Sequence, residues 1–312
     1  CSPEDGLKLV ALRDIAAVGL SGSRGAGLAL KQAADSVGTP IYLEMSSVNP
    51  VFMLPGALAE RGAAIAAEFA DSCMMSVGQY CTNPGLIIVP DGIAGETFLE
   101  TATSLFEASE QGTLLSRSGA AHIDQSIATL KAAGAKLVTG GQGRDFSYAN
   151  TLLRVSGKDF LSNPAALQTE AFGPVSMIVF AGSTDEMAAI AQSLDGNLTG
   201  CVYSHTQGDD DAAYDEVARE LRPKVGRLLN DKMPPGVAAS PAMVHGGPYP
   251  ATGHPGFTAV GFPAAIHRFA ALQCYDNVRA SRLPEELRDK NPTGKIWRLV
   301  NDQWTQEDVA AR

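Results

Sequence analysis

The chain has 312 residues, of which 45% are hydrophobic and 19% charged, with a net charge of −10 and a pI near 5.0. That length buries a sizeable core in one large domain or two smaller ones. The acidic balance argues against non-specific binding to nucleic acid or to an anionic membrane surface. No apolar run approaches the roughly 20 residues of a membrane helix. The five scattered cysteines (1, 73, 81, 201 and 274) form no CxxC pair, so neither a disulfide framework nor a zinc site is expected and a reducing cytoplasm fits best.

The sequence begins Cys1-Ser2-Pro3-Glu4-Asp5, without Met, which leads us to expect that an N-terminal portion is missing. Residues 15–20 read as a short buried strand. Ser21-Gly22-Ser23-Arg24-Gly25-Ala26-Gly27 follows, opening a helix over 24–36. Ser23 is a natural N-cap, and the bare amides of such a helix start suit a phosphate. Residues 40–45 and 51–54 read as strands, 57–76 as an Ala-rich amphipathic helix, and 86–90 as a buried strand. Helical periodicity covers 94–110 and 117–133, with Gly134 at a C-cap position. Strands are expected at 135–139, 175–181, 199–204 and 226–230, separated by helices at 184–194 and 210–221. Strands alternating with helices in this way predict an α/β fold with a largely parallel sheet. Residues 231–263 break the rhythm with a long Pro/Gly-rich loop carrying His245 and His254. Residues 268–275 read as a further strand, and the tail from Arg279 is charged and turn-rich.

The most informative segment is Gly78-Gln79-Tyr80-Cys81-Thr82-Asn83-Pro84-Gly85. A thiol on a Gly/Pro-bracketed turn ahead of a buried strand is open to a substrate, although a lone cysteine more often packs as a small hydrophobe. Glu44 lies in an apolar strand, where desolvation raises a carboxylate toward the range of a general base; equally, it could simply end the strand and face solvent. Glu170-Ala171-Phe172-Gly173-Pro174 projects an acid and a ring from a turn, either to contact a ligand or as an ordinary surface acid. His245 and His254 have no carboxylate or cysteine at ligand spacing, so no metal is expected. A thiol–imidazole pair between Cys81 and either histidine is a further arrangement that nothing nearby favours.

Taken in order, these segments resemble the aldehyde dehydrogenase superfamily over residues 10–277. Gly22-Ser23 with Gly27 is similar to the family's Gly-Ser loop, and Leu43-Glu44-Met45-Ser46-Ser47-Val48-Asn49-Pro50 to its general-base segment. Gly78-Gln79-Tyr80-Cys81 resembles the nucleophile segment, and Glu170 to Pro174 the segment that holds the nicotinamide ribose. Ser46-Ser47-Val48 replaces the usual Gly-Gly-Lys, and Arg24 follows the Gly-Ser pair. With Asn83-Pro84-Gly85 and the run 245–252, these departures look most like the 2-oxoglutaric semialdehyde (2,5-dioxovalerate) dehydrogenases.

The resemblance implies that Cys81 is the nucleophile, Glu44 the general base, and Gly22, Ser23, Met45, Glu170 and Phe172 the cofactor contacts. It implies NADP in preference to NAD, no metal, a small aldehyde substrate, a homo-oligomer (dimer or tetramer) and a cytoplasmic location. Three parts follow: 1–45 as the remnant of a Rossmann-like coenzyme domain, 46–265 as the catalytic domain, and 266–312 as an oligomerisation strand with an extension. Roughly 200 upstream residues of the family have no counterpart, so the isolated chain is expected to be inactive. A silent assembly protein, or a cofactor-independent thiol esterase or acyltransferase, is the alternative.

Overall fold

A computed structural model describes residues 2–237, 240, 242–243, 246–256 and 264–309. After α1 (Pro3–Val10), the strands β1 (Val18–Ser21) and β2 (Ile41–Glu44) flank α2 (Arg24–Asp35). The two strands pair in parallel, with Val18 opposite Ile41 and Ser21 opposite Glu44. Val10, Ala34, Ile41, Leu43 and Met45 form a small core of their own around this sheet.

The larger sheet is assembled from β3 (Val51–Met53), β4 (Leu86–Pro90), β5 (Lys136–Thr139), β8 (Thr151–Ser156), β9 (Val175–Ala181), β10 (Asn197–Tyr203) and β11 (Val225–Asn230). A two-residue-per-strand hairpin, β6 (Gly143–Arg144) and β7 (Ser147–Tyr148), leads into β8. The strand order is β11-β10-β3-β4-β9-β8-β5. All neighbours are parallel except β5, which runs antiparallel to β8. Every residue of β9 and β10 is buried, as expected where helices cover both faces and the strand needs no polar side. One face packs against α5 (Arg117–Ala132), α8 (Thr184–Ser193) and α9 (Asp211–Leu221) through Ile123, Ile127, Ile190 and Leu221. The other face packs against α3 (Pro55–Met74) and α4 (Ile93–Ala108) through Ile65, Phe69, Phe98 and Phe106. Short helices α6 (Gly157–Ser162) and α7 (Pro164–Leu167) close the β8–β9 connection. The chain is therefore α/β with a parallel-rich sheet, as the alternation of strand and helix patterns implies. No helix among the described residues is long and apolar enough to cross a membrane.

The strand expected over 268–275 does not form. Ala264–Phe269 is a 3-10 helix and 270–275 carries no strand. An extended segment becomes a strand only when a neighbour completes its ladder, and no described residue pairs with this one. By contacts the chain divides into one compact unit reaching Phe269 and a second beginning at Ala270. The second unit holds the antiparallel pair β12 (Arg298–Val300) and β13 (Gln303–Thr305). It closes on the Asn291 side chain, which donates to the carbonyls of Ile296 and Gln306 at 2.9 and 2.7 Å.

Within the first unit, residues 246–253 form a strap between the two sheets. At one end Met45 N donates to Ala251 O at 2.7 Å, Gly253 N donates to Leu43 O at 3.0 Å, and Glu44 bridges Thr252. At the other end the strap lies directly on backbone. A Cβ on Gly247 would fall 1.9 Å from Asn197 O, and one on Gly226 would fall 2.1 Å from Gly246 O. Only glycine allows chains to touch this closely.

Candidate active site

Strand polarity brings the candidate residues together. The carboxyl ends of β1 and β2 deliver Ser21 to Ser23 and Glu44 to Ser46, whereas the amino ends of β3, β4 and β9 receive Asn49, Cys81 and Glu170. Between them lies a cavity of about 450 Å³. Gly22, Ser23, Glu44, Met45, Cys81, Glu170 and Phe172 all line it, so the residues expected as nucleophile, base and cofactor contacts reach one space.

The Cys81 turn is held rigidly. After α3, three successive residues adopt left-handed backbone: Ser76 at φ 50°, Val77 at φ 59° and Gly78 at φ 67°. A β-branched residue there costs on the order of 1–3 kcal/mol, a strain that persists only where the surroundings over-determine it. At Gly78 a Cβ would fall 2.0 Å from Gly173 O, so the Cys81 turn and the Glu170 turn lie backbone on backbone. Asn49, fully buried, donates from Nδ2 to Cys81 O and Asn83 O, both at 2.9 Å. Its Oδ1 accepts from Ser47 Oγ at 2.8 Å and Thr199 Oγ1 at 2.9 Å. Asn197 Oδ1 in turn accepts from Val48 N at 2.9 Å and Asn49 N at 3.2 Å. The two asparagines tie β3, β10 and the nucleophile turn into one network.

Cys81 and Glu44 both line this cavity, and each acts on the other's protonation. Glu44 is buried, and its Oε2 has no hydrogen-bond partner among the described residues. Burial raises the Glu44 pKa, against the Cys81 hydrogen bond and the charge of Arg268. The Cys81 thiol is pushed up to about 11 by burial and then by the Glu44 charge and hydrogen bond, with Arg227 pulling the other way. Both groups are thereby biased toward holding a proton, and the two share one cavity, where a carboxylate can take a proton from the thiol. Cys73 and Cys201 are buried among apolar side chains, where burial raises their thiols, leaving Cys81 as the thiol that faces the cavity.

On the other side of the cavity, Ser23 Oγ caps α2 by accepting from Ala26 N at 3.3 Å. The Arg24 amide donates to Ser46 Oγ at 3.3 Å, and its guanidinium reaches Asp195 at the surface, also at 3.3 Å. Glu170 Oε1 accepts from Ser47 N at 3.3 Å. Burial raises its pKa, opposed by hydrogen bonds from Ser46 and Ser47. Ser46 and Ser47, where the sequence departs from the Gly-Gly pattern, thus connect the α2 start, Glu170 and the Asn49 network.

Sequence reasoning did not find His122 and Ser126, which also line the cavity. Ser126 Oγ donates to Glu170 O at 2.9 Å. They sit four residues apart on α5, beside the buried Ile123 and Ile127. A polar pair at that spacing next to an apolar stripe was the available signal. Arg227 and Arg268, which act electrostatically on Cys81 and Glu44, were missed as well. His254 lies against Tyr42, with ring centroids 5.2 Å apart, and His245 lies outside the described residues. No group of three His, Cys, Asp or Glu among the described residues is arranged to hold a metal ion.

Residues 2–247 match the model of the aldehyde dehydrogenase family. The chain belongs to that family. Among curated relatives, it is 39% identical over 293 residues to alpha-ketoglutaric semialdehyde dehydrogenase 2 of Azospirillum brasilense, covering 91% of this chain and 54% of the relative. It is 37% identical over 318 residues to the alpha-ketoglutaric semialdehyde dehydrogenase of Acinetobacter baylyi, covering 96% and 57%. The chain thus spans about half the length of the curated relatives it matches. Among solved structures, it resembles a betaine aldehyde dehydrogenase double mutant of Staphylococcus aureus in complex with NAD+, with a TM-score of 0.69 and 19% identity over 84% of this chain and 52% of that one. That likeness establishes a shared aldehyde dehydrogenase fold.

Proposed function

We propose that this chain carries the thiol and base of an NADP- or NAD-dependent aldehyde dehydrogenase acting on alpha-ketoglutaric semialdehyde, with NADP favoured. The observation that carries the reading is that Cys81 and Glu44 line one cavity with Ser23 and Glu170 and act on each other's protonation. The two alpha-ketoglutaric semialdehyde dehydrogenase relatives suggest the substrate.

The residues present fit part of a dinucleotide. The first-turn amides of α2, capped by Ser23, suit a phosphate, and Glu170 with Phe172 and Met45 would hold the ribose and nicotinamide end. The chemistry such a dinucleotide supplies when bound is acceptance of a hydride. In this reading Glu44 takes the Cys81 proton as the thiol adds to the aldehyde carbon and passes it on to the carbonyl oxygen, giving a thiohemiacetal and leaving Glu44 a free carboxylate; that proton goes to solvent when the carbon is oxidised. Once that carbon is oxidised, Cys81 carries a thioester. Glu44 then deprotonates a water whose oxygen attacks the thioester carbon, and the thiolate leaves with the acid released. The Asn49 network keeps the sulfur in place through both steps.

The two-stranded sheet β1–β2 offers one helix start to a dinucleotide, so we further propose that the 312-residue chain assayed alone turns over little or no aldehyde. NADP-dependent absorbance growth at 340 nm by the purified chain would refute this part. The thiol chemistry is tested without cofactor. With p-nitrophenyl acetate, wild type should acylate Cys81 and release the acetyl group slowly, Glu44→Gln should accumulate acetyl-Cys81, and Cys81→Ala should do neither. Hydrolysis persisting in Cys81→Ala would overturn the assignment. A coenzyme-side part up to residue 45, a cytoplasmic location and homo-oligomer formation belong to the same reading. Light scattering of the purified chain tests the last.

A further inference from the structure

Hydroxyls inside the helices of this chain turn back on their own helix: Thr101, Thr103, Ser104 and Thr129 each donate to the carbonyl four residues earlier. That is the ordinary fate of a helical serine or threonine. Ser126 does otherwise. From α5, the helix that also carries Thr129, it reaches 44 positions along the chain and donates to Glu170 O at 2.9 Å. The buried Ile123 and Ile127 seat this helix on the sheet. Ile123 also meets the same turn, since a Cβ on Gly173 would fall 2.4 Å from its Cδ1.

The segment that Ser126 grips has little else to hold it. Residues 169–172 belong to no helix or strand. Among the described residues, the Ser126 hydroxyl makes the only hydrogen bond to the main chain of residues 170–172. The Glu170 carboxylate is held separately, accepting from Ser47 N at 3.3 Å. Ser126, Glu170 and Phe172 all line the 450 Å³ cavity. Without the Ser126 hydroxyl the carboxylate keeps its contact with Ser47, but the backbone carrying it and the Phe172 ring loses its tether to α5.

We infer that Ser126 is a positioning residue for the coenzyme, clamping the main chain of Glu170 to α5 so that the Glu170 carboxylate and Phe172 ring are set before the ribose and nicotinamide arrive. This rests on the proposed coenzyme role of Glu170 and Phe172. A binding group ordered in advance does not have to be ordered at the cost of affinity.

The test uses nicotinamide mononucleotide, which carries that ribose and ring without the adenosine half. Protection of Cys81 from iodoacetamide is read by peptide mass spectrometry, each variant against its own unprotected rate. Loss of one neutral hydrogen bond in Ser126→Ala should raise the half-protecting concentration about five- to tenfold. Ser126→Thr, which keeps the hydroxyl, should recover part of the loss. Alanine is the better helix former, so the variant is expected to fold, and hydrogen exchange in a peptide spanning 169–173 should quicken in it. In a Glu170→Ala background the same change should add at most about twofold, because the group being positioned is gone. Full additivity would make Ser126 a direct contact and overturn the inference, as would an unchanged half-protecting concentration in Ser126→Ala. If nicotinamide mononucleotide fails to protect wild type whose Cys81 is readily alkylated, the coenzyme role of Glu170 and Phe172 falls, and this inference with it.

Discussion

Glu44→Gln should make Cys81 more reactive while removing its capacity to complete a catalytic cycle. The thiol stands at about 11 because of burial first and the Glu44 charge and hydrogen bond next, against 9.0 for a free cysteine on the same scale. At pH 8 a thiol at about 11 is roughly 0.1% thiolate, and one at 9.0 is roughly 10%. Removing the carboxylate leaves burial in place, so the hundredfold gap is a ceiling, and a rise of about tenfold in alkylation rate is expected. The assay is the pH profile of iodoacetamide alkylation at Cys81, with peptide mass spectrometry separating it from Cys73, Cys201 and Cys274. The Glu44→Gln profile should shift to lower pH by about one unit. An unchanged profile, or slower alkylation at pH 8 in a folded variant, would refute the coupling of thiol and carboxylate. A shift with no accumulation of acetyl-Cys81 in the ester assay would confirm the coupling and reject Glu44 as the hydrolytic base.

Asn49→Ala removes the donor to the Cys81 and Asn83 carbonyls and the acceptor for Thr199. Urea unfolding should show a loss of about 2–4 kcal/mol, and a loss under 1 kcal/mol would mean that the network is incidental. Gly78→Ala places a methyl 2.0 Å from Gly173 O at a φ of 67°. It should lower the melting midpoint and abolish acetyl transfer to Cys81, and a stable, fully active variant would contradict the close packing of the two turns. Glu170 has its folded pKa raised above its ordinary 4.5. Its favourable contribution is therefore complete below the unfolded value and is lost as pH climbs through the folded one. Glu170→Gln escapes that loss, so its melting midpoint should gain on wild type between pH 5 and pH 8; parallel curves would show that Glu170 is not desolvated.

What the sequence makes legible is what local chemistry controls. The continuous apolar run 175–181 and the 117–133 periodicity correspond to β9 and α5 because burial on both faces, or along one stripe, leaves its mark residue by residue. The Cys81 turn is legible because glycine and proline restrict a backbone wherever they occur. Partners distant in sequence are not legible. Asn197 meets Asn49 across 148 positions, and neither asparagine differs locally from any other loop amide. Arg227 reads as one more strand-end cation until the fold brings its charge to bear on Cys81. The segment 268–275 has strand composition, but pairing depends on an edge that composition does not describe.

The strap over residues 246–253 has a mechanical consequence. Base and nucleophile stand on different sheets, and neither sheet's internal register sets the gap between them. The strap and the short 45–50 connection do, the strap gripping β2 by main-chain hydrogen bonds and seated by glycine contacts on Asn197 and Gly226. Because the grip is made by backbone, the exposed Tyr249 at its crest can vary without moving either anchor. A single proteolytic nick there would leave both sheets folded and the 45–50 segment as the remaining hold on the gap between proton acceptor and sulfur.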